Sequence, residues 1–177
     1  MFNKLRLLTP GPTPIPEDVR LALARDMIHH RKADFKRVME RIQPGLQHLF
    51  GTREQVLPLS CSGTGAMYAA VTNLFAPGEK VVVVEGGKFG ERWREIAQAH
   101  GLRVVSLVQE PGEAVTAAAV GEALAMHADA RAVLVQASET SMGVLHPVRE
   151  LGALTNGSNT LLVVDGISAV GISPCPM

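Results

Sequence analysis

The sequence has few cysteines, few aromatic residues and no excess charge of either sign. Only two of the 177 residues are cysteines, Cys61 and Cys175, and they form no CxxC pair. This argues against a zinc site, a disulfide framework or redox chemistry, and we expect reduced, partly buried thiols. Seventeen basic and seventeen acidic residues cancel without a basic stripe. Nucleic acid and anionic membranes are therefore poor candidates as partners, and a small, neutral ligand fits better.

Long hydrophobic runs and a secretory leader are also missing. Hydrophobic residues make up 46% of the chain, but no run is long enough to span a membrane. The N-terminal stretch MFNKLRLLTPGPTP has neither the apolar core nor the cleavage site of a signal peptide. These absences predict a cytoplasmic protein with one hydrophobic core.

The N-terminal third of the chain predicts an arm followed by helices. Four prolines fall within residues 1–16, which favours an extended conformation because proline has no backbone N–H. A short helix is predicted over Glu17–Met27. From Ala33 onward the apolar residues recur at helical spacing, so a second helix is expected there, bent or interrupted at Pro44.

From residue 56 onward, apolar runs alternate with helix-like segments. Five runs are predicted to be strands: VLPLS, KVVVVEG, RVVSLV, RAVLVQ and TLLVVDG. Four intervening stretches are predicted to be crossover helices: GAMYAAVTNLF, FGERWREIAQAHG, VTAAAVGEALAMHA and PVRELGALTNG. Continuous Val and Leu runs are typical of parallel strands covered on both faces. The pattern predicts an α/β fold with a doubly wound, mostly parallel sheet, whose ligands bind at the carboxyl ends of the strands.

The stretch SCSGTGAM connects the first predicted strand to a helix that starts near Ala66. Free backbone N–H groups and the helix dipole at such a junction favour a bound phosphate. The stretch is not a Walker motif, and Gly63 and Gly65 lack the third glycine of a dinucleotide fingerprint because residue 68 is tyrosine. The alternative is a tight turn capped by Thr64.

Phe89 and Asp165 follow two other predicted strands. Phe89, flanked by glycines in EGGKFGER, could stack on a flat cofactor or belong to the core. Asp165 closes the apolar run LLVV, where a carboxylate caps a turn, binds a metal or meets a cationic group of a ligand. A phosphate site, an aromatic ring and a carboxylate at one edge of a sheet together describe a site for pyridoxal phosphate.

A metal site is not predicted at this edge. No cluster of histidine or acidic residues surrounds Asp165 in the sequence. His29 and His30 are adjacent, so on a helix they point about 100° apart and share a metal poorly. The four other histidines, His146 among them, are expected at the surface or at helix caps.

Six motifs, in order and across almost the whole chain, resemble the N-terminal half of a class V pyridoxal-phosphate aminotransferase: LTPGPTPIP, HHRKADF, SGTGAM, GGKFGER, ETSMGVLHP and VDGISAVG. The resemblance is strongest to the alanine–glyoxylate and serine–pyruvate aminotransferase group. It implies the large domain of fold type I in incomplete form. Residues 1–16 would be an extended N-terminal arm, residues 17–177 part of the large cofactor-binding domain, and the small C-terminal domain is absent.

The resemblance also implies how the cofactor phosphate and one ring face are held. Thr64, Gly65 and Ala66 would bind the phosphate through hydroxyl and backbone donors. Phe89 would stack on the pyridine ring, at a position where many relatives have tryptophan. Of the two interpretations of this turn, the resemblance therefore favours a phosphate site over a simple capped turn.

Four further roles come from the resemblance. Thr140, in ETSMG, would donate a hydrogen bond toward the phenolic oxygen of the cofactor. Asp165 would pair with the pyridinium nitrogen, and Ile167 would pack on the ring face opposite the phenylalanine. Gly11, in the proline-rich arm, would lie near the substrate. No metal ligand is implied.

The lysine that forms the Schiff base is not recognisable in this sequence. In the family it follows the strand that carries the aspartate, in a Ser-x-Lys-like stretch. None of the lysines sits in such a motif: Lys4, Lys32, Lys36, Lys80 and Lys88. This predicts a truncated or incomplete sequence that is inactive on its own.

The resemblance implies that the intact protein, as a homodimer, transfers an amino group between a small amino acid, alanine or serine, and a 2-oxo acid, glyoxylate or pyruvate. One alternative is another class V enzyme of the cysteine desulfurase or phosphoserine aminotransferase type. A second is a non-catalytic assembly remnant of the fold. Binding of a nucleotide is disfavoured by the incomplete glycine fingerprint.

Overall fold

The computed structural model describes residues 7–9 and 11–173, which divide into two compact units. One unit comprises the described residues of Met1–His48 and Arg53–Val56, and the other those of Leu49–Thr52 and Leu57–Met177. Cys175 lies outside the described residues. The boundary predicted between an arm over residues 1–16 and a domain from residue 17 stays a prediction.

The first unit contains helix α1 (Glu17–Leu23) and most of helix α2 (Ala33–Phe50). Helix α1 ends before the predicted Met27, whose side chain is fully exposed, so no packing extends the helix to that residue. Helix α2 continues through Pro44, so the interruption expected there does not occur. Neither helix contains a fully buried residue.

Residues 56–60, the run VLPLS, form no strand, which corrects the prediction of five strands. The backbone of Val56 is bound by a side chain instead: Gln43 donates from Nε2 to its carbonyl oxygen at 2.6 Å and accepts its N–H at 3.1 Å. Pro58 has no N–H, and in the described part of the chain no strand pairs with this run. An apolar run of this kind needs a neighbouring strand before it can form a ladder.

The second unit is built on four parallel strands: β1 (Lys80–Glu85), β2 (Arg103–Val108), β3 (Ala130–Gln136) and β6 (Leu161–Asp165). Their order in the sheet is β2-β1-β3-β6. Helices connect them: α3 (Gly63–Leu74) precedes β1, and α4 (Lys88–Ala99), α5 (Ala117–Met126) and α6 (Val148–Thr155) follow β1, β2 and β5. All four predicted crossover segments are therefore helical.

The sheet is covered on both faces, as the continuous Val and Leu runs predict. Alternate residues of β1 point to opposite sides. Val81 and Val83 pack with residues of α3 and α4, whereas Val82 and Val84 pack with residues of α5 and α6. All four valines are fully buried, and each contributes about 1.5–3 kcal/mol to the hydrophobic core. The doubly wound parallel fold is thereby confirmed.

The strand order creates a crevice between β1 and β3. The chain passes from β1 to β2 on one side and from β3 to β6 on the other, so the connections diverge at the carboxyl ends of β1 and β3. A short antiparallel ladder that the sequence did not predict, β4 (Ser138–Glu139) with β5 (Val144–Leu145), follows β3 there. Among the described helices, none is long and apolar enough to cross a membrane.

Candidate functional site

The N-terminus of α3 leaves backbone donors open. The Ser62 hydroxyl oxygen accepts the N–H of Gly65 at 3.2 Å, and the Ser62 carbonyl accepts the N–H of Ala66 at 3.0 Å. The N–H groups of Gly63 and Thr64 have no acceptor in the described part of the chain. Of the three residues predicted to bind phosphate, Gly65 and Ala66 thus use their amides within the turn, and the open amides lie one step earlier.

Two glycines of this turn lie close to neighbouring side chains. A Cβ atom on Gly63 would lie 2.8 Å from Cδ1 of Ile167, and one on Gly65 would lie 2.9 Å from Cβ of Cys61. The packing therefore brings Ile167, after β6, directly to the start of α3. Cys61 is exposed, contrary to the expected partial burial, because it lies in the unpaired segment before the helix.

Arg92 adds a positive charge at the same place. Its Nη1 donates to the Thr64 hydroxyl oxygen at 3.0 Å, and its guanidinium carbon lies 5.6 Å from the centre of the Phe89 ring. Within the described residues no carboxylate lies within ion-pair distance of this half-buried arginine. The sequence analysis missed it, although Phe89 and Arg92 are three apart and share a helix face.

The two oxygens of the Asp165 carboxylate lie in different surroundings, one at a turn and the other without a protein donor in the described part of the chain. Its Oδ1 accepts the N–H of Ile167 at 3.0 Å, which is the turn-capping arrangement. The second oxygen accepts no hydrogen bond from the described residues, and the half-buried side chain lines a cavity. One oxygen therefore fixes the turn and the other stays available for a ligand.

A cavity of about 470 Å³ lies between the start of α3 and the end of β6. Three residues predicted for the site line it together: Ala66, Asp165 and Ile167. The rest of the lining is largely apolar: Phe50, Gly63, Met67, Ala70, Trp93, Val163, Val164, Gly166 and Val170. The buried indole Nε1 of Trp93 has no hydrogen-bond partner among the residues that the structure describes. The lining of the cavity is thus mostly apolar, with two polar features: the open N-terminus of α3 at Gly63 and the Asp165 carboxylate.

Glu139 is a site residue that the sequence analysis missed. Its side chain is fully buried, and Oε2 accepts the N–H groups of Phe89 and Gly90 at 3.1 and 3.0 Å. Oε1 accepts the N–H and the hydroxyl of Ser141 at 3.2 and 2.6 Å. The signal in the sequence was the position of this glutamate, three residues after the end of the buried strand β3. A carboxylate that is buried there needs several hydrogen-bond donors.

Thr140 follows this glutamate directly. It is half-buried, and its hydroxyl has no hydrogen-bond partner among the described residues. Gly11 is exposed and belongs to the other compact unit, so its predicted place near the substrate stays a prediction. The structure therefore brings the neighbourhoods of Thr64, Phe89 and Thr140 together through Arg92 and Glu139.

His146 is buried, contrary to the expected surface or cap role, because it lies on the β5–α6 connection inside the crevice. Its Nδ1 accepts the N–H of Val115 at 3.2 Å. Burial lowers the pKa of this imidazole, and the nearby Glu139 charge opposes the shift. A Cβ atom on Gly86 would lie 2.8 Å from its Nε2. The histidine thus fills the space beneath the turn after β1 as a neutral ring.

The fold is that of a doubly wound α/β protein, with a candidate ligand cavity between an open helix N-terminus and an aspartate at the carboxyl end of β6. Residues 17–177 match the family described as "Aminotransferase class-V". The chain belongs to the class V aminotransferase family, which confirms the resemblance seen in the sequence.

The chain is similar to curated relatives of different names. It is 36% identical over 180 residues to the "Soluble hydrogenase 42 kDa subunit" of Anabaena cylindrica, covering 100% of this chain and 47% of the relative. It is 36% identical over 173 residues to the alanine–glyoxylate aminotransferase of Oryctolagus cuniculus, covering 97% and 44%. The chain thus spans about half the length of the curated relatives it matches.

A solved structure agrees with the fold. The aspartate aminotransferase of subgroup IV from Thermus thermophilus superimposes with a TM-score of 0.89 and 34% sequence identity. The match covers 97% of this chain and 49% of that one. The two aminotransferases among these relatives therefore carry different substrate names.

Proposed function

We propose that the chain binds pyridoxal phosphate and serves, in the intact protein, a transamination between a small amino acid, alanine or serine, and a 2-oxo acid, glyoxylate or pyruvate. The observation that carries this proposal is the shared cavity. The open N-terminus of α3 and the Asp165 carboxylate line the same space of about 470 Å³. The first attracts an anion and the second a cation, and pyridoxal phosphate has both a phosphate and a basic ring nitrogen.

The phosphate would bind at the start of α3. The Thr64 hydroxyl and the open amides of Gly63 and Thr64 supply donors, while Gly65 and Ala66 shape the turn. Arg92 would compensate the negative charge of the phosphate. Its own positive charge is available because no carboxylate among the described residues forms an ion pair with Arg92. Gly65 supports this shape of the turn, because a Cβ atom there would lie 2.9 Å from Cβ of Cys61.

The ring would lie between Phe89 and Ile167. When bound, the cofactor supplies the electron sink of the reaction, which requires a protonated ring nitrogen. Asp165 would hold that proton through its free oxygen, since its other oxygen is fixed by the turn. The unpaired Thr140 hydroxyl would donate to the phenolic oxygen. The apolar lining of the cavity would exclude water and strengthen the charge pair.

Binding of pyridoxamine phosphate tests the proposal, because its amine cannot react with surface lysines. Trp93 is the only tryptophan and lines the cavity, so its fluorescence reports occupancy. We expect Asp165→Asn to weaken binding about tenfold or more, the value of a charge-assisted hydrogen bond. Asp129→Asn, at the opposite edge of the sheet, is the matched control. Equal affinity of Asp165→Asn and the wild type would contradict the proposal.

The amino donor separates this proposal from other class V activities. The residues that would hold the cofactor suit a cysteine desulfurase or a phosphoserine aminotransferase equally, and one relative is named an aspartate aminotransferase. We expect the 177-residue chain alone to be inactive, because none of its lysines stands in the expected motif. Measurable transamination of alanine with glyoxylate by this chain would contradict that expectation.

We further propose a cytoplasmic homodimer. Helices α1 and α2 contain no buried residue, and α1 exposes apolar side chains at Val19, Leu21 and Leu23. A second copy that covers such side chains would gain the burial that a single chain lacks. Light scattering tests this, and a monomer at high concentration would argue against it. The same measurement bears on the alternative of an assembly remnant, which predicts association without cofactor binding.

A further inference from the structure

We propose that Glu139 is a positioning residue that holds the Phe89 ring and the Thr140 hydroxyl at a fixed distance from each other, so that both meet one cofactor ring. The inference rests on the proposed function. Its basis is a fully buried carboxylate that binds the backbone on both sides of the crevice between β1 and β3.

The first turn of α4 has no cap of its own. Gly87, at its N-cap position, has no side chain to accept a hydrogen bond. The first three amides are instead bound by the loop after β3: Lys88 by the Ser141 hydroxyl oxygen at 3.0 Å, and Phe89 and Gly90 by Glu139. A helix terminus whose amides lack acceptors frays, so these contacts fix the backbone from which the Phe89 ring projects.

The same carboxylate also fixes the loop after β3 that contains Thr140. Oε1 accepts both the N–H and the hydroxyl of Ser141, so the chain turns back on itself around Thr140. Thr140 lies between the two residues that bind α4. Any displacement of the carboxylate therefore moves the aromatic ring and the threonine hydroxyl relative to each other.

The two oxygens of the Glu139 side chain accept all four donors. A carboxylate accepts at both oxygens, whereas an amide accepts at one and donates at the other. In Glu139→Gln the NH₂ group would face either the amides of Phe89 and Gly90 or the amide of Ser141. At least one of these N–H groups would then lose its acceptor.

The experiment compares two ligands and three variants. Pyridoxamine phosphate uses the whole site, whereas inorganic phosphate uses only the start of α3 and Arg92. Affinity for the first is measured by Trp93 fluorescence, affinity for the second by calorimetry, and ring orientation by the induced circular dichroism of saturated pyridoxamine phosphate. Glu95→Gln, on the exposed face of α4, is the matched control, and Ser141→Ala is a milder second variant.

We expect Glu139→Gln to weaken pyridoxamine phosphate about tenfold, to reduce the induced signal per bound ligand and to leave phosphate affinity unchanged. Ser141→Ala should act in the same direction with a smaller effect, which keeps the test valid if Glu139→Gln fails to fold. Glu95→Gln should match the wild type. A merely structural role would lower thermal stability but leave the affinity and induced signal of the folded protein unchanged.

Two failures are distinguishable. If the wild type binds pyridoxamine phosphate and folded Glu139→Gln binds it with equal affinity and an equal induced signal, the inference is wrong and the proposed function stands. If Glu139→Gln does not fold, wild-type values for Ser141→Ala overturn the inference. If the wild type binds phosphate but shows no preference for pyridoxamine phosphate, the proposed function fails and the inference falls with it.

Discussion

Two helices begin at the same edge of the sheet, and their N-termini differ in what binds their amides. At α4 the amides of Lys88, Phe89 and Gly90 are all bound by Glu139 or Ser141. At α3 the amides of Gly63 and Thr64 have no acceptor in the described part of the chain. One terminus is neutralised by a negative charge of the protein itself, and the other faces an arginine.

The difference shows that a glycine-rich turn before a helix does not by itself define an anion site. Both helices follow such a turn, SCSGTGAM and EGGKFGER. An internal carboxylate occupies the second, so an external anion has no open donors there. The first has open donors and the added charge of Arg92, and a ligand phosphate would gain from both.

The largest effect is expected from a Cβ atom at the closed terminus. In Gly90→Ala the new atom would lie 2.6 Å from the carbonyl oxygen of Val84 and 2.7 Å from Cα of Glu85, both of which are backbone atoms of β1. Because a strand in the middle of the sheet cannot move aside, unfolding free energy should fall by about 3 kcal/mol. Chemical denaturation measures this.

Gly63→Ala at the open terminus is the matched variant. Its Cβ atom would meet only the end of the flexible Ile167 side chain, so stability should change little while affinity for pyridoxamine phosphate falls. Equal stability losses at the two glycines would show that the termini are packed alike.

Arg92→Gln should act on ligand binding rather than on folding. Loss of the guanidinium removes the bond to Thr64 and the positive charge beside the open amides. Affinity for inorganic phosphate should fall about tenfold, and its dependence on salt should weaken. Calorimetry measures both. Arg149→Gln, an exposed arginine on α6, should match the wild type, and an unchanged affinity in Arg92→Gln would remove the charge argument.

The sequence predicted the features that depend on local pattern. Val81 to Val84 lie in a strand because an unbroken apolar run is buried on both faces, and Asp165 lies at a strand end because it closes such a run. The run VLPLS resembles these strands but has no partner, and pairing is not a property of one segment. Glu139 escaped notice because its four donors come from residues 89, 90 and 141, which only the folded sheet brings together.

Ser62→Ala should have a smaller effect. It removes the side chain that caps α3, and Thr116→Ala removes the equivalent cap of α5, where the hydroxyl oxygen accepts the N–H of Ala119 at 3.1 Å. Each should lower the unfolding free energy by about 1 kcal/mol. Only Ser62→Ala should also change affinity for pyridoxamine phosphate, because only α3 is proposed to bind it. A binding change in Thr116→Ala would indicate a general loss of fold.

The smallest effect concerns how stability depends on pH through His146, which lies beneath the turn after β1. Burial lowers the pKa of His146 below its ordinary value of 6.5, with partial compensation by Glu139. As pH falls, the unfolded chain therefore binds the proton first, so this residue stabilises the fold above pH 6.5 and the contribution is lost as pH falls through the lower folded pKa. Protonation would also place an N–H on Nδ1, against the N–H of Val115 that it now accepts. Denaturation at neutral and mildly acidic pH should show a larger loss of stability in the wild type than in His146→Gln, whose side chain does not titrate. If the two proteins lose stability equally, the imidazole is not held neutral, and the contrast between a closed and an open helix terminus rests on Glu139 and Ser141 without help from the ring beneath them.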